Sequence, residues 1–227
     1  MKPIQPMEPM PLGTLERIKN NNIIQAWLVL ILALLFGSSL AGIQITLGPK
    51  IEENKINETR EKVPELILGK EAALKMTEAG QSLNVMPHSF VVEKPGRKAA
   101  YNVYEALDTK KNRLGWVVKA KGQGYADKIE LLFGLDAAVE KITGVFVLEQ
   151  KETPGLGNKI VTDEWRGQYI GKSTAKPVGV IKGGGAGSDD INAITGATIS
   201  SKAVTDIINS AIADIKGPLA EKAKGGK

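Results

Sequence analysis

The chain has 227 residues, 42% of them hydrophobic, and a formal net charge of +5, which is room for one domain with an appendage or two small domains, and for a sizeable core. It has no cysteine and a single histidine, His88, which excludes iron–sulfur clusters, thiol catalysis and disulfides within the chain, as well as His-based metal centres and His-relay hydrolases. Basic residues alternate with acids and aromatics make up only 5%, so no nucleic-acid-binding surface is expected.

Residues 1–22 read as a cytoplasmic segment, with Lys2, Arg17 and Lys19 against Glu8 and Glu16. From Ile23 to Leu47 there are 25 residues without a charge. At 1.5 Å rise per residue this exceeds a bilayer core of roughly 30 Å, so 23–47 is predicted to be a transmembrane helix. Trp27 lies near its start, where an interfacial aromatic is favoured. The far flank offers Lys50 against Glu52 and Glu53. The resulting positive-inside bias puts the N-terminus in the cytoplasm and the rest of the chain outside it. The competing reading is a signal peptide cleaved after Ser39-Leu40-Ala41; the long, partly acidic segment before the apolar run argues against it.

Residues 48–87 read as a helical stalk and linker. Ile56, Val63, Leu66, Leu68 and Ala72 fall at helical spacing in a charged background, with an interruption near Pro64. The domain proper is predicted over 88–216. Strands are expected at Ser89–Val92, Ala100–Ala106, Gly115–Ala120, Lys128–Phe133, Ile142–Leu148 and Val178–Ile181, separated by turn signals such as Pro95-Gly96 and Lys111-Asn112. The short connections favour antiparallel hairpins. A short helix is expected over Asp163–Tyr169 and a flexible link over Gly183–Ser188. The last helix is read from Ser200 to Ile215, with Ala203, Ile207, Ala211 and Ile215 in one apolar row. Gly217-Pro218 is expected to stop it, leaving 217–227 as a disordered tail. The fold class is α+β: an antiparallel sheet with packed helices on one side or at its ends, preceded by one transmembrane helix.

The chemistry concentrates in Ile194-Thr195-Gly196-Ala197-Thr198-Ile199-Ser200-Ser201. Thr198 follows two small residues at the start of an amphipathic helix. Gly196 and Ala197 leave its hydroxyl accessible. The helix start aims free N–H groups and a positive dipole end at any phosphate placed there, and Ser200, Ser201 and Thr205 can add hydroxyl donors. The plain alternative is that Thr198 is the helix N-cap.

Other segments widen the pattern. Ile142-Thr143-Gly144-Val145 leads through Glu149 into Glu152-Thr153-Pro154-Gly155-Leu156-Gly157-Asn158-Lys159-Ile160, and Lys121-Gly122-Gln123-Gly124-Tyr125 precedes Ile129-Glu130. Together with the Thr195–Thr198 stretch, these resemble the FMN-binding domain family, in its branch of Rnf-complex G subunits, over roughly 122–215. The resemblance implies that Thr198 carries FMN through a phosphoester bond, with Thr195, Gly196, Ala197, Ser200 and Ser201 around it. It also places the Glu152, Thr153, Pro154, Gly155, Leu156 and Gly157 loop beside the flavin. Glu152 then either tunes the flavin or holds the loop, and Tyr125 either stacks on the ring or joins the core. The family usually has Asp three residues before the Thr195 position; here it is Asn192, with Asp189 and Asp190 just upstream.

What the resemblance implies for function is a membrane-anchored redox protein, one part of a larger complex, with no complete catalytic site of its own and no metal. It would carry electrons on FMN within an ion-translocating ferredoxin:NAD oxidoreductase. Its partners would be the other membrane subunits of the Rnf complex and a flavin transferase for maturation. The alternatives are the equivalent subunit of a sodium-translocating NADH:quinone reductase, or a structural subunit without flavin.

Overall fold

The computed structural model describes residues 21–94, 97–185 and 187–225. The expected cytoplasmic segment, apart from its last two residues, and the Pro95-Gly96 turn lie outside them. The chain divides into two units, Met1–Asn54 and Lys55–Lys227.

In the first unit, the described residues from Asn22 on belong to the leading part of helix α1 (Asn22–Leu68), which is long and apolar enough to cross a membrane. Its side chains from Ile23 to Leu40, including Trp27, Leu30 and Phe36, are exposed. An apolar helix surface without a protein covering suits lipid.

The second unit is built on a five-stranded antiparallel sheet in the order β1-β2-β3-β4-β5. The strands are β1 (Asn84–Lys94), β2 (Arg97–Leu107), β3 (Arg113–Gln123), β4 (Lys128–Asp136) and β5 (Ile142–Glu149). Each is a meander neighbour of the next, as the short connections predict. The strands run longer than expected, because alternation persists into charged ends such as Lys121 and Asp136 that pair without being buried.

Both faces of the sheet are covered. On one, Trp116, Val118 and Ala120 of β3 and Ile129, Leu131, Phe133 and Leu135 of β4 meet the last helix, α4 (Thr198–Gly225). On the other, Val117 and Leu132 meet Val63 and Leu66 of α1. The helices therefore lie on two sides of the sheet, not one. The period of two divides each strand's apolar residues between the helices.

The expected solvated stalk is thus corrected. Thr59 and Val63 are fully buried and Leu66 nearly so. Glycines on the sheet make this possible. A Cβ at Gly134 would come within 2.5 Å of the Leu66 carbonyl oxygen, and one at Gly115 within 2.9 Å of Ile67 Cδ1. The expected break near Pro64 is also absent, since α1 runs through Pro64 to Leu68. The packing of Val63 and Leu66 on either side of the proline offsets the hydrogen bond it cannot donate. Gly69, at φ 83°, ends the helix with its N–H on the Glu65 carbonyl.

Helix α2 (Lys70–Glu78) buries nothing and leads to β1, which starts at Asn84. After β5 come a short 3-10 helix (Gly157–Val161), α3 (Asp163–Gly167), and a parallel pair of short strands, β6 (Gly179–Ile181) and β7 (Asp190–Asn192). The β7 strand is not foreseen by the sequence pattern; three residues give too little alternation to read.

The final correction is the tail. Helix α4 does not stop at Gly217-Pro218 but continues to Gly225 with Pro218 inside it. Leu219 is fully buried in the core. Arg113 Nη1 donates to the Ala223 carbonyl at 3.1 Å, and Lys222 Nζ donates to His88 Nδ1 at 2.9 Å. These tertiary contacts outweigh a helix-breaking dipeptide.

Candidate functional site

Three separated segments meet at the start of α4. The turn between β3 and β4 brings Tyr125, the loop after β5 brings Thr153, Leu156 and Gly157, and the helix start brings Gly196, Ala197, Thr198, Ile199 and Ser200. Between them lies an open cleft of about 530 Å³, within the range of small-molecule sites. The order of the sheet explains the meeting: the β3–β4 turn and the β5 exit lie at the same end of adjacent hairpins, and α4 begins beside them.

Thr198 is half-buried in the first turn of α4, after the turn at Thr195-Gly196. Gly196 has φ 80°, a left-handed conformation that glycine adopts without strain. Among the described residues, the Thr198 hydroxyl has no hydrogen-bond partner, so it is not acting as a cap. The turn is held by Ser201 instead. Its Oγ donates to the Ala197 carbonyl at 3.0 Å and accepts from the Ile194 N–H at 3.0 Å.

This redistributes the expected roles. Ser201 and Thr205 are buried and engaged; Thr205 Oγ1 bonds Tyr169 Oη at 2.7 Å and the Ser201 carbonyl at 2.9 Å. Neither offers a hydroxyl to the cleft. Ser200 touches the cleft, but its hydroxyl donates to Glu152 at 2.5 Å. Glu152 is buried under the cleft rather than lining it, and also accepts from the Ala126 N–H at 3.1 Å. These two bonds fasten its loop to the β3–β4 turn and to the start of α4. Thr195, Pro154 and Gly155 are exposed and lie outside the lining, although Gly155, at φ 75°, shapes the loop that presents Leu156.

The lining is apolar where it is exposed. Tyr125 is 62% exposed, Leu156 44% and Ile199 59%. Tyr125 is therefore a cleft residue and not a core one. Sequence reasoning misses Ile199 as a site residue because it continues the i, i+4 row of Ala203 and Ile207 and reads as core. Trp116 and Trp165 are core, and His88 is structural, bridging Glu105 and Lys222.

A free threonine hydroxyl, the unpaired N–H groups of a helix's first turn, and apolar side chains around an open cleft fit a group with a phosphate and a flat ring. Asn192 stands apart from the cleft. It lies in β7, its N–H donates to Gln168 Oε1 at 2.7 Å, its carbonyl accepts from Trp165 Nε1 at 3.0 Å, and its side chain does not line the cleft.

Residues 124–213 match the model of the FMN-binding domain. The match begins at the Gly124-Tyr125 turn and takes in all three walls of the cleft. The chain is similar to the G subunit of an ion-translocating oxidoreductase complex of Methanosarcina acetivorans, with 39% identity over 109 residues, 48% of this chain and 55% of that protein. It is also similar to the G subunit of the Na(+)-translocating ferredoxin:NAD(+) oxidoreductase complex of Acetobacterium woodii, with 43% identity over 101 residues, 44% of this chain and 48% of that protein. The chain thus spans about half the length of the curated relatives it matches. Its fold is that of Shewanella oneidensis NqrC, with a TM-score of 0.62 at 18% identity, over 77% of this chain and 100% of that one.

Proposed function

We propose that Thr198 carries FMN through a phosphoester bond, and that the chain is the membrane-anchored, electron-carrying G subunit of an ion-translocating ferredoxin:NAD oxidoreductase complex. The observation that carries the reading is the Thr198 hydroxyl, unpartnered among the described residues, at the mouth of a cleft whose three walls all lie within the segment that matches the FMN-binding domain. Identities of 39% and 43% to G subunits, against 29% to the C subunit of the Na(+)-translocating NADH-quinone reductase of Vibrio anguillarum, favour the first of these two assignments.

The residues have distinct tasks. Thr198 Oγ1 forms the bond to phosphorus while the phosphoanhydride bond of a flavin dinucleotide breaks. The nucleoside monophosphate leaves, and the hydroxyl proton passes to a base on a flavin transferase. The first-turn N–H groups of α4 face the phosphodiester charge. Tyr125, Leu156 and Ile199 give the ring system apolar surface on the protein side. FMN, once attached, supplies electron-carrying capacity that the amino-acid side chains lack.

The 23–47 span anchors the chain, with 1–22 in the cytoplasm and the FMN-binding domain on the other side of the membrane. Tethering in the plane of the other subunits raises the effective concentration of the carrier near its redox partners.

The test is the intact mass of the full chain in detergent, produced with and without a flavin transferase and followed by peptide mapping. A gain of about 440 Da on the peptide containing Thr198 is expected, absent in Thr198→Val. An unmodified mass with an active transferase overturns the reading and leaves a structural role in its place.

A further inference from the structure

The floor of the cleft is organised around one buried carboxylate. Glu152 is 4% exposed, and among the described residues it makes no ion pair. A buried carboxylate without a cation is costly unless hydrogen bonds replace its water. Here two do. Oε1 accepts from the Ala126 N–H and Oε2 from the Ser200 hydroxyl. The first turn of α4 adds the positive end of a helix.

The carboxylate fits because two glycines leave room for it. A Cβ at Gly124 would overlap Glu152 Oε1. A Cβ at Gly157 would come within 2.6 Å of Ser200 Oγ and 2.9 Å of Glu152 Oε2. Each tie ends beside a wall of the cleft. Ala126 follows Tyr125, Glu152 itself precedes Thr153, and Ser200 lies two residues beyond Thr198. No other described side chain bonds all three segments.

We infer that Glu152 is a positioning residue for the modification of Thr198: by tying Ala126 and Ser200 to its own loop, it holds Tyr125, Leu156 and Thr198 in one geometry that the transferase and the flavin both meet. The inference rests on the proposed reading of Thr198. Glu152 does not line the cleft, so it acts through its neighbours and not on the reacting atoms. Its role is geometric: what matters is that both ties exist, not that the group is charged.

The two substitutions at this position separate geometry from charge. Glutamine keeps both ties, because its carbonyl oxygen accepts from the Ala126 N–H and its amide donates to a reoriented Ser200 hydroxyl. Alanine removes both. The experiment measures covalent FMN incorporation into full-length chain in detergent, with a purified flavin transferase and flavin adenine dinucleotide. The wild type, Glu152→Gln, Glu152→Ala and Ser200→Ala are followed by in-gel fluorescence and intact mass, with thermal unfolding in parallel.

Glu152→Gln is expected to be modified within about threefold of the wild-type rate. Glu152→Ala is expected to fall by about tenfold or more, mainly in kcat, because misplacement of a reacting group by even an ångström costs on this scale. Ser200→Ala keeps the Ala126 tie and is expected to slow several-fold while still folding, which keeps the test decisive should Glu152→Ala unfold. Wild-type rates in Ser200→Ala, or in a folded Glu152→Ala, overturn the inference. So does a Glu152→Gln protein that folds but is as slow as alanine, since charge and not position would then govern. A wild-type chain that is never modified sinks the reading of Thr198 itself, and this inference with it.

Discussion

Gly134 shows how much of this molecule is decided by single atoms. With no Cβ there, the carbonyl of Leu66 lies against the sheet, and a Cβ would stand within 2.5 Å of it and overlap Thr143 Oγ1. Thr143 Oγ1 is itself bonded to the Leu66 carbonyl at 2.6 Å. Gly134→Ala is therefore expected to destabilise by about 1–3 kcal/mol, read as a lowered midpoint in chemical denaturation. Thr198 is the opposite case. Its hydroxyl stabilises nothing, so Thr198→Val is expected to change stability by no more than about 0.5 kcal/mol while abolishing the FMN adduct. A cap would have cost about 1 kcal/mol; circular-dichroism melts of the unmodified proteins decide between the two. Glu105 gives a pH dependence. Burial raises its carboxyl, but hydrogen bonds from Arg113 (2.6 Å) and His88 (2.9 Å), with the Arg113 charge, outweigh this and hold it below the ordinary glutamate value. The unfolded chain then binds a proton before the folded one does. The stabilisation is complete above the ordinary glutamate range and is lost as pH falls through the depressed folded value. Glu105→Gln is expected to be less stable at neutral pH and to show a flatter acid limb in stability against pH.

Among the elements, α4 and α1 each overrule a local signal. Proline inside a helix costs about 3 kcal/mol, yet α4 runs through Pro218 because Leu219 reaches the core and the last turns bond Arg113 and His88. Leu219→Ala is expected to cost about 2–5 kcal/mol, measured by denaturation. A change within about 0.5 kcal/mol, the level of an ordinary surface substitution, would mean that the end of α4 adds nothing to the fold. The end of α1 hides its role for a related reason. Its apolar stripe is narrow, with Val63 and Leu66 among many charges, and reads as a solvated helix. Only the glycines opposite it on β3, β4 and β5 make a narrow stripe sufficient, and a sequence gives no sign of which strand glycines face which helix. The strands themselves are legible, since alternation and turn residues recur through all five of the meander.

Taken over the whole chain, the cleft is a product of topology. Tyr125, Leu156 and Thr198 are far apart in sequence and meet because a meander returns its turns to one end of the sheet, where α4 starts. Their chemistry is readable from the residues and the resemblance they carry. Their division of labour is not. Ser200, Ser201 and Thr205 are equally suited by type to face a phosphate, and burial alone reassigns them to the Glu152 tie, the helix start and the Tyr169 bond. Residue types and their near neighbours are enough to define the apolar span and the antiparallel strands, because neither depends on distant parts of the chain. Long-range packing alone decides that α1 closes the second face of the sheet, that α4 outlasts its proline, and that Glu152 stands beneath the cleft and not in it. Those outcomes depend on which distant groups compete for the same buried space and the same hydrogen bonds.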